Sequence, residues 1–282
     1  MSKLAFQAAI DFDYAYLADA FNRSFEGYAV SFQFDARALE QRARPESWDL
    51  ATSFVSIREG QLAGILCTAR RGRSCRVAAM GVTVNARGQG VGRAMMRHCI
   101  SEAQQRGDQE MVLEVIESNT PALRLYESLG LSSQRRLVGF ECPKPSPGEH
   151  ASALAEIDSA EFASIAHAEY EPRLPWQMSP ETLANLTLPV RAYTLERRAF
   201  ALLGDPAAPR IAIRGFAVRR AERRQRLGTH LLRALFAKFP GKTWAVSPIV
   251  PEGLADGFFC ANGFVASALA QREMRMPLAP PA

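Results

Sequence analysis

Residues 80–96 read MGVTVNARGQGVGRAMM, and the fold is decided by how this stretch is read. It opens as the end of a β-branched strand predicted over residues 77–84. Asn85, Ala86 and Arg87 make a short polar turn. A glycine-rich entry, Arg87-Gly88-Gln89-Gly90-Val91-Gly92, then leads into a helix predicted to run to about Arg106. Three glycines in five residues are costly inside a helix, yet they suit a chain that must turn with little side-chain bulk. A helix start leaves backbone N–H groups without internal partners, and the helix dipole adds partial positive charge there. Strand, glycine turn and helix N-terminus together make a cradle for phosphate, with Arg87 and Arg93 as charge partners.

Two common glycine motifs do not fit. A dinucleotide fingerprint counted from Gly90 and Gly92 needs a third glycine where Met95 stands, and the Gly-Lys-Ser/Thr of a Walker loop is absent. What stands is Arg-x-x-Gly-x-Gly after a strand ending Val-x-Val. It resembles the coenzyme A pyrophosphate loop of the GNAT (Gcn5-related) N-acetyltransferase superfamily. A second stretch, 113–131, reads LEVIESNTPALRLYESLGL. Residues 112–116 are predicted as a strand. Asn119 suits a helix N-cap, Pro121 its first turn, and Gly130 its end. The string Asn-x-x-Ala-x-x-Leu-Tyr-x-x-x-Gly resembles the other GNAT signature, the strand and helix that flank the pantetheine arm. Both signatures stand in the family's order.

The bulk numbers fit that reading. The chain has 282 residues, 48% hydrophobic and 22% charged, which suits one large domain or two small ones. No apolar run approaches the ~20 residues of a membrane span, and acidic residues come too early at the N-terminus for a secretory signal. The five cysteines include no Cys-x-x-Cys pair. Reduced thiols in a cytoplasmic protein without a metal are the natural reading. A net charge of +5 permits an anionic ligand such as coenzyme A but is too mild to call for nucleic acid.

The expected fold class is α/β (α+β): two tandem GNAT-like folds, each a mixed, mostly antiparallel sheet flanked by helices. Residues 1–142 form the catalytic GNAT domain, the proline-dense 143–149 a linker, and 150–282 a degenerate GNAT-like domain. The second half echoes the first. Gly215-Phe-Ala-Val218 matches Gly81-Val-Thr-Val84, Leu227-Gly-Thr-His matches Val91-Gly-Arg-Ala, and Phe258 to Phe264 matches Leu125 to Leu131. In the echo of the cradle, Arg224 and Arg226 replace Gly88 and Gly90, with two extra residues read before them. Tyr126 becomes Phe259 and Asn119 becomes Glu252. An arginine stem would crowd a pyrophosphate, so the second copy reads as a retained fold with a lost coenzyme site. Its arginines 219, 220, 223, 224 and 226 read either as a solvated basic turn or as a site for another anion.

The resemblance implies roles. Acetyl-CoA is the cosubstrate. Val82, Thr83 and Val84 would supply backbone contacts to the pantetheine and acetyl carbonyl, and Arg87, Gly88, Gln89, Gly90, Val91, Gly92, Arg93 and Ala94 would hold the pyrophosphate. Tyr126 is the general acid for the leaving thiolate. Glu114, a charge interrupting an apolar strand, is the general base, with Glu117 as its rival. Asn119 bonds the coenzyme arm or caps its helix. Phe25, Tyr28 and Phe32 shape the acceptor pocket or pack the loop onto the sheet. The acceptor is a primary amine of a small molecule or peptide, taken by a monomer or homodimer. The alternative is a non-catalytic acyl-CoA sensor or scaffold, which would need neither Glu114 nor Tyr126.

Overall fold

Alternation along the strands and helical spacing between them build two compact units. One comprises Met1–Val115, Asn119–Gln134 and Glu273–Ala282, the other Ile116–Ser118 and Arg135–Arg272. The structure is a computed structural model and describes residues 4–30, 33–148, 154–171 and 173–278; Phe32 lies outside them.

In the first unit, β1 (Leu4–Ala8), β2 (Phe54–Arg58), β3 (Gln61–Arg71), β4 (Ser74–Val82) and β5 (Glu110–Ile116) lie side by side in that order. The pairs are antiparallel except β4 with β5. Successive side chains of a strand face opposite sides, and β3 shows it. Ile65 and Cys67 join one core with Leu17, Phe21 and Leu39, while Leu66 joins another with Met95, Met96 and Leu113. Helices α1 (Tyr14–Ser24) and α2 (Ala36–Ala43) cover the first face. Helices α3 (Val91–Gln105) and α4 (Thr120–Glu127) cover the second. Asp13 and Asp35 cap α1 and α2, each side chain accepting the backbone N–H of the helix's third residue.

The second unit repeats this order. It has β7 (Leu154–Ile157), α5 (Ser159–Glu169), α6 (Pro180–Ala184), β8 (Arg191–Leu195), β9 (Ala199–Leu203), β10 (Arg210–Val218), α7 (Leu227–Lys238), β11 (Thr243–Pro251) and α8 (Asp256–Ala261). Here β10 and β11 form the parallel pair.

The contiguous halves expected from the sequence differ from these units at the closing strands. Strand β6 (Ser132–Cys142) contributes its residues from Arg135 onward to the second unit, where Val138, Phe140 and Cys142 enter the core with Trp244. Strand β12 (Val265–Pro277) contributes its end to the first unit, where Met274 is buried and Arg275 pairs with Glu110. The Leu278 N–H donates to the Gln109 carbonyl at 2.8 Å. In the expected linker, residues 143–148 form no helix or strand, and residue 149 is outside the described set.

The internal echo keeps one register from the strand bulge to the start of the helix, and the two extra residues read from the sequence are not there. Ala78 is the bulged residue of β4 against β3, and Arg214 that of β10 against β9. The strands end at Val82 and Val218, and the helices begin at Val91 and Leu227. Each pair is 136 residues apart, as 82 and 218 are. Gly215 therefore corresponds to Ala79, not Gly81. It is glycine for a reason of its own unit, since a Cβ there would lie 2.6 Å from the Phe162 ring.

Candidate active site

The parallel pairing of β4 with β5 runs from Ser74↔Glu110 to Val77↔Leu113 and stops. Beyond the Ala78 bulge, β4 stays bonded to β3 alone. A bulge bends its strand and re-aims the backbone, so a gap opens between β4 and β5. Thr83 N–H donates back to Ala63 O at 3.0 Å, on the β3 side. Alternation then turns the N–H and C=O of Met80 and Val82 towards the gap. Val82 lies on this edge. Val84 lies beyond it, because β4 ends at Val82 and Val84, its side chain exposed, begins a 3-10 turn. Met80 takes its place on the gap edge. Thr83 faces β3, its hydroxyl 3.3 Å from the carbonyls of Leu62 and Ala63.

The glycine cradle follows. Gly88 and Gly90 both have left-handed backbones, φ +71° and +79°, and a Cβ built on either would meet no atom within 4 Å. Gly90 is the N-cap of the 15-residue helix α3 and offers no side-chain cap. The N–H groups of Val91, Gly92 and Arg93 open the first turn, while that of Ala94 donates to Gly90 O at 3.0 Å. Gly92 is small for packing, its Cβ position 3.4 Å from Leu125. A cradle lined by backbone N–H groups, with empty space where side chains would stand, fits a pyrophosphate.

Arg87 is bonded to backbone carbonyls of its own unit. Its Nε donates to Val82 O at 2.9 Å, and a terminal nitrogen reaches Glu26 O at 2.5 Å and Ser24 O at 3.5 Å. It staples the loop after α1 to the end of β4. Gln89 likewise turns to Asn85 O and Arg58. Arg93 is half-buried in the first turn of α3.

At the mouth of the gap, Asn119 caps α4, accepting the Ala122 N–H at 3.3 Å, and its side chain also hydrogen-bonds the Tyr28 hydroxyl. Tyr126 lies on α4, 7% exposed, and its phenol is pushed well up, first by burial and then by nearby Tyr28. Tyr28, Asn119 and Tyr126 are thus brought together. Phe25 packs the loop: it stacks on Phe21 at 4.3 Å, and its ring would meet a Cβ on Gly81 at 2.8 Å.

Glu114 is buried and ion-paired. Its Oε2 lies 2.8 Å from both Nε and Nη2 of Arg76, whose Nη1 is 2.7 Å from Glu46 Oε2. Burial raises the Glu46 pKa, but the Arg76 and Arg42 charges and the Arg76 and Trp48 hydrogen bonds outweigh it and hold it at about 2. Sequence reasoning missed Arg76 and Glu46. The available signal was an arginine set between the apolar Cys75 and Val77 at the entry to the predicted strand. Glu117 belongs to the other unit, where it accepts from Arg136 and Arg272. Among the described residues no His, Cys, Asp or Glu group is placed to hold a metal ion, and no helix is long and apolar enough to cross a membrane.

A family model described as the acetyltransferase (GNAT) family matches residues 15–131. The ribosomal protein bS18-alanine N-acetyltransferase of Escherichia coli strain K12 is 32% identical over 104 residues, 33% of this chain and 70% of that protein. The chain belongs to the GNAT acetyltransferase family. A mycothiol acetyltransferase of Thermomonospora curvata is 38% identical over 124 residues, 44% of this chain. The chain spans only 42% of that relative's length. A solved tandem GNAT protein from the clavulanic acid biosynthesis pathway shares the fold, with a TM-score of 0.69 over 99% of this chain and all of its own, at 15% identity.

The second unit repeats the frame of the cradle with arginines in place of its glycines. Arg224 and Arg226 hold left-handed backbones, φ +66° and +60°, where the first unit has Gly88 and Gly90. Arg223 repeats the Arg87 staple, donating to Val218 O at 3.2 Å and Glu169 O at 2.8 Å. Arg219 and Arg220 are tied to the Arg197 and Tyr170 carbonyls. Three of the five arginines thus serve their own loops.

Proposed function

We propose that the first unit is an acetyl-CoA-dependent N-acetyltransferase that transfers an acetyl group directly to a primary amine. The observation that carries this is the pair of left-handed glycines with open space around them, set at the start of α3 beside the gap between β4 and β5. The second unit holds the same backbone with arginines. Acetyl-CoA supplies an activated thioester. Gly88, Gly90 and the N–H groups of Val91, Gly92 and Arg93 would hold its pyrophosphate, and Asn119 stands beside its arm. The N–H groups of Met80 and Val82 face the gap and act as preorganised donors to developing negative charge. Tyr126 keeps its proton at neutral pH and donates it to the leaving sulfur. Glu114 takes the acceptor's proton by way of water, since its side chain is 3% exposed.

Relatives are named for mycothiol, a ribosomal protein alanine and streptothricin, so the reading commits to a primary amine and no single acceptor. Calorimetry with acetyl-CoA, followed by thiol release over a panel of thiol-precursor amines, peptide N-termini and aminoglycoside-like amines, tests it. Saturable binding and release with at least one amine are expected. Absence of binding would refute the proposal.

A further inference from the structure

A cluster of buried charge stands on the α1/α2 face of the first unit. Arg76 is 2% exposed and spans two carboxylates, Glu114 and Glu46. Glu114 follows Leu113, the last residue of β5 paired with β4, so its carboxylate is rooted where the strands part. Buried ion clusters are poor stabilisers, and apolar replacements of the whole set are often neutral or better. The second unit closes the same frame with no charge at the positions that match Arg76 and Glu114. The counterpart of Arg76 at the 136-residue spacing is Ala212. Thr243 pairs with Arg210 as Glu110 pairs with Ser74, so the counterpart of Glu114 is Ser247. The fold does not require the cluster, and it occurs in the unit whose cradle is open.

We infer that Arg76, backed by Glu46, is a positioning residue for acetyl transfer. Its planar fork fixes the Glu114 carboxylate at the vertex of the gap, in the orientation from which Glu114 receives the acceptor's proton. One N–H bond of the amine breaks and an O–H bond forms on the carboxylate, through water. The inference rests on the N-acetyltransferase reading above. A lysine cannot replace the fork, because an ammonium offers a point charge where the guanidinium brings two donors, Nε and Nη2, onto Glu114 Oε2 and a third, Nη1, onto Glu46.

The test is a double-mutant cycle of Arg76→Ala and Glu114→Ser, which together install the residues of the second unit, with Arg76→Lys as the conservative variant. Each is measured by thiol release with an amine that the wild type turns over, and by acetyl-CoA calorimetry. Each alanine or serine variant is expected to lose about 100-fold in kcat, the range of a lost general base, with KM and acetyl-CoA affinity within about threefold. The double variant should be no worse than Glu114→Ser, because Arg76 acts through Glu114. Arg76→Lys should restore only part of the rate. Should Arg76→Ala alone fail to fold, Arg76→Ala and Glu114→Ser are combined with Glu46→Gln, which neutralises all three members of the cluster, and this triple variant is compared with Glu114→Ser in the same way. A further tenfold loss in the double variant, or a wild-type kcat in Arg76→Ala, overturns the inference alone. A wild type that releases no thiol with any amine overturns the functional reading and this inference with it.

Discussion

Gly90→Arg separates what the cradle's backbone does from what its empty space does. The backbone at Gly90 is left-handed at φ +79°. A non-glycine residue there costs roughly 1–2 kcal/mol. No atom lies within 4 Å of the added Cβ, so no overpacking adds to that figure. The second unit already carries arginine at the equivalent position, φ +60°, so the variant should fold. At the sensitivity usual for domains of this size, Tm should fall by roughly 2–8 °C. The coenzyme effect should be far larger, because the arginine stem occupies the space a pyrophosphate needs. A loss of at least 100-fold in affinity, about 2.7 kcal/mol, is expected by calorimetry. Gly90→Ala carries the same strain with a small side chain and should bind in between. Arg226→Gly should raise Tm by relieving the matching strain and leave acetyl-CoA binding unchanged. Binding by Gly90→Arg within threefold of wild type would refute the placement of the cradle.

Tyr126→Phe should lower kcat by about 10–100-fold with little change in KM for acetyl-CoA, because a leaving-group proton matters only in the transition state; equal losses in both would mark a packing role. Glu46 has a depressed folded pKa, about 2 against an ordinary 4.5, so its stabilisation is present above pH 4.5 and is lost as pH falls through 2. That difference corresponds to on the order of 3 kcal/mol, and denaturant midpoints of wild type should therefore fall more steeply over pH 4.5–2 than those of Glu46→Gln; parallel slopes would contradict it. Arg87→Met removes the donor to Val82, Ser24 and Glu26, and hydrogen exchange over residues 24–28 should speed up while acetyl-CoA affinity changes less than tenfold. Loss of binding without faster exchange would mean that Arg87 serves the ligand directly.

Much of the first unit was legible because its signals are local. Glycines before a helix and Asn119 followed by Pro121 each act within one turn of chain, and helices α3 and α4 begin where they were read. What the sequence hid is non-local. Strands β6 and β12 carry similar apolar patterns, and nothing in either string says which core receives Phe140 or Met274. Arg76 and Glu114 meet across a parallel pair joined by a helix, so each looked like a lone charge in an apolar strand. The echo was misregistered because Gly81 and Gly215 look alike. One makes room for Phe25, just after α1, and the other for Phe162, on α5, at different points of the frame.

The two left-handed arginines bear on why the first unit has glycine. If conformation alone demanded glycine at the turn into the helix, Arg224 and Arg226 could not hold φ +66° and +60° in the same frame. They do, at a strain of roughly 1–2 kcal/mol each, so the surrounding bulge, staple and helix impose the turn whatever residue occupies it. Gly88 and Gly90 relieve that strain, but relief is available in both units and taken in one. What differs beyond strain is what stands at the turn: glycines with open space around them in the first unit, two arginines in the second. The first unit also carries Tyr126 and Glu114 where the second has Phe259 and Ser247. Space for an anion, a phenol proton and a held carboxylate occur together in one unit and are missing together in the other, as expected if they serve one reaction.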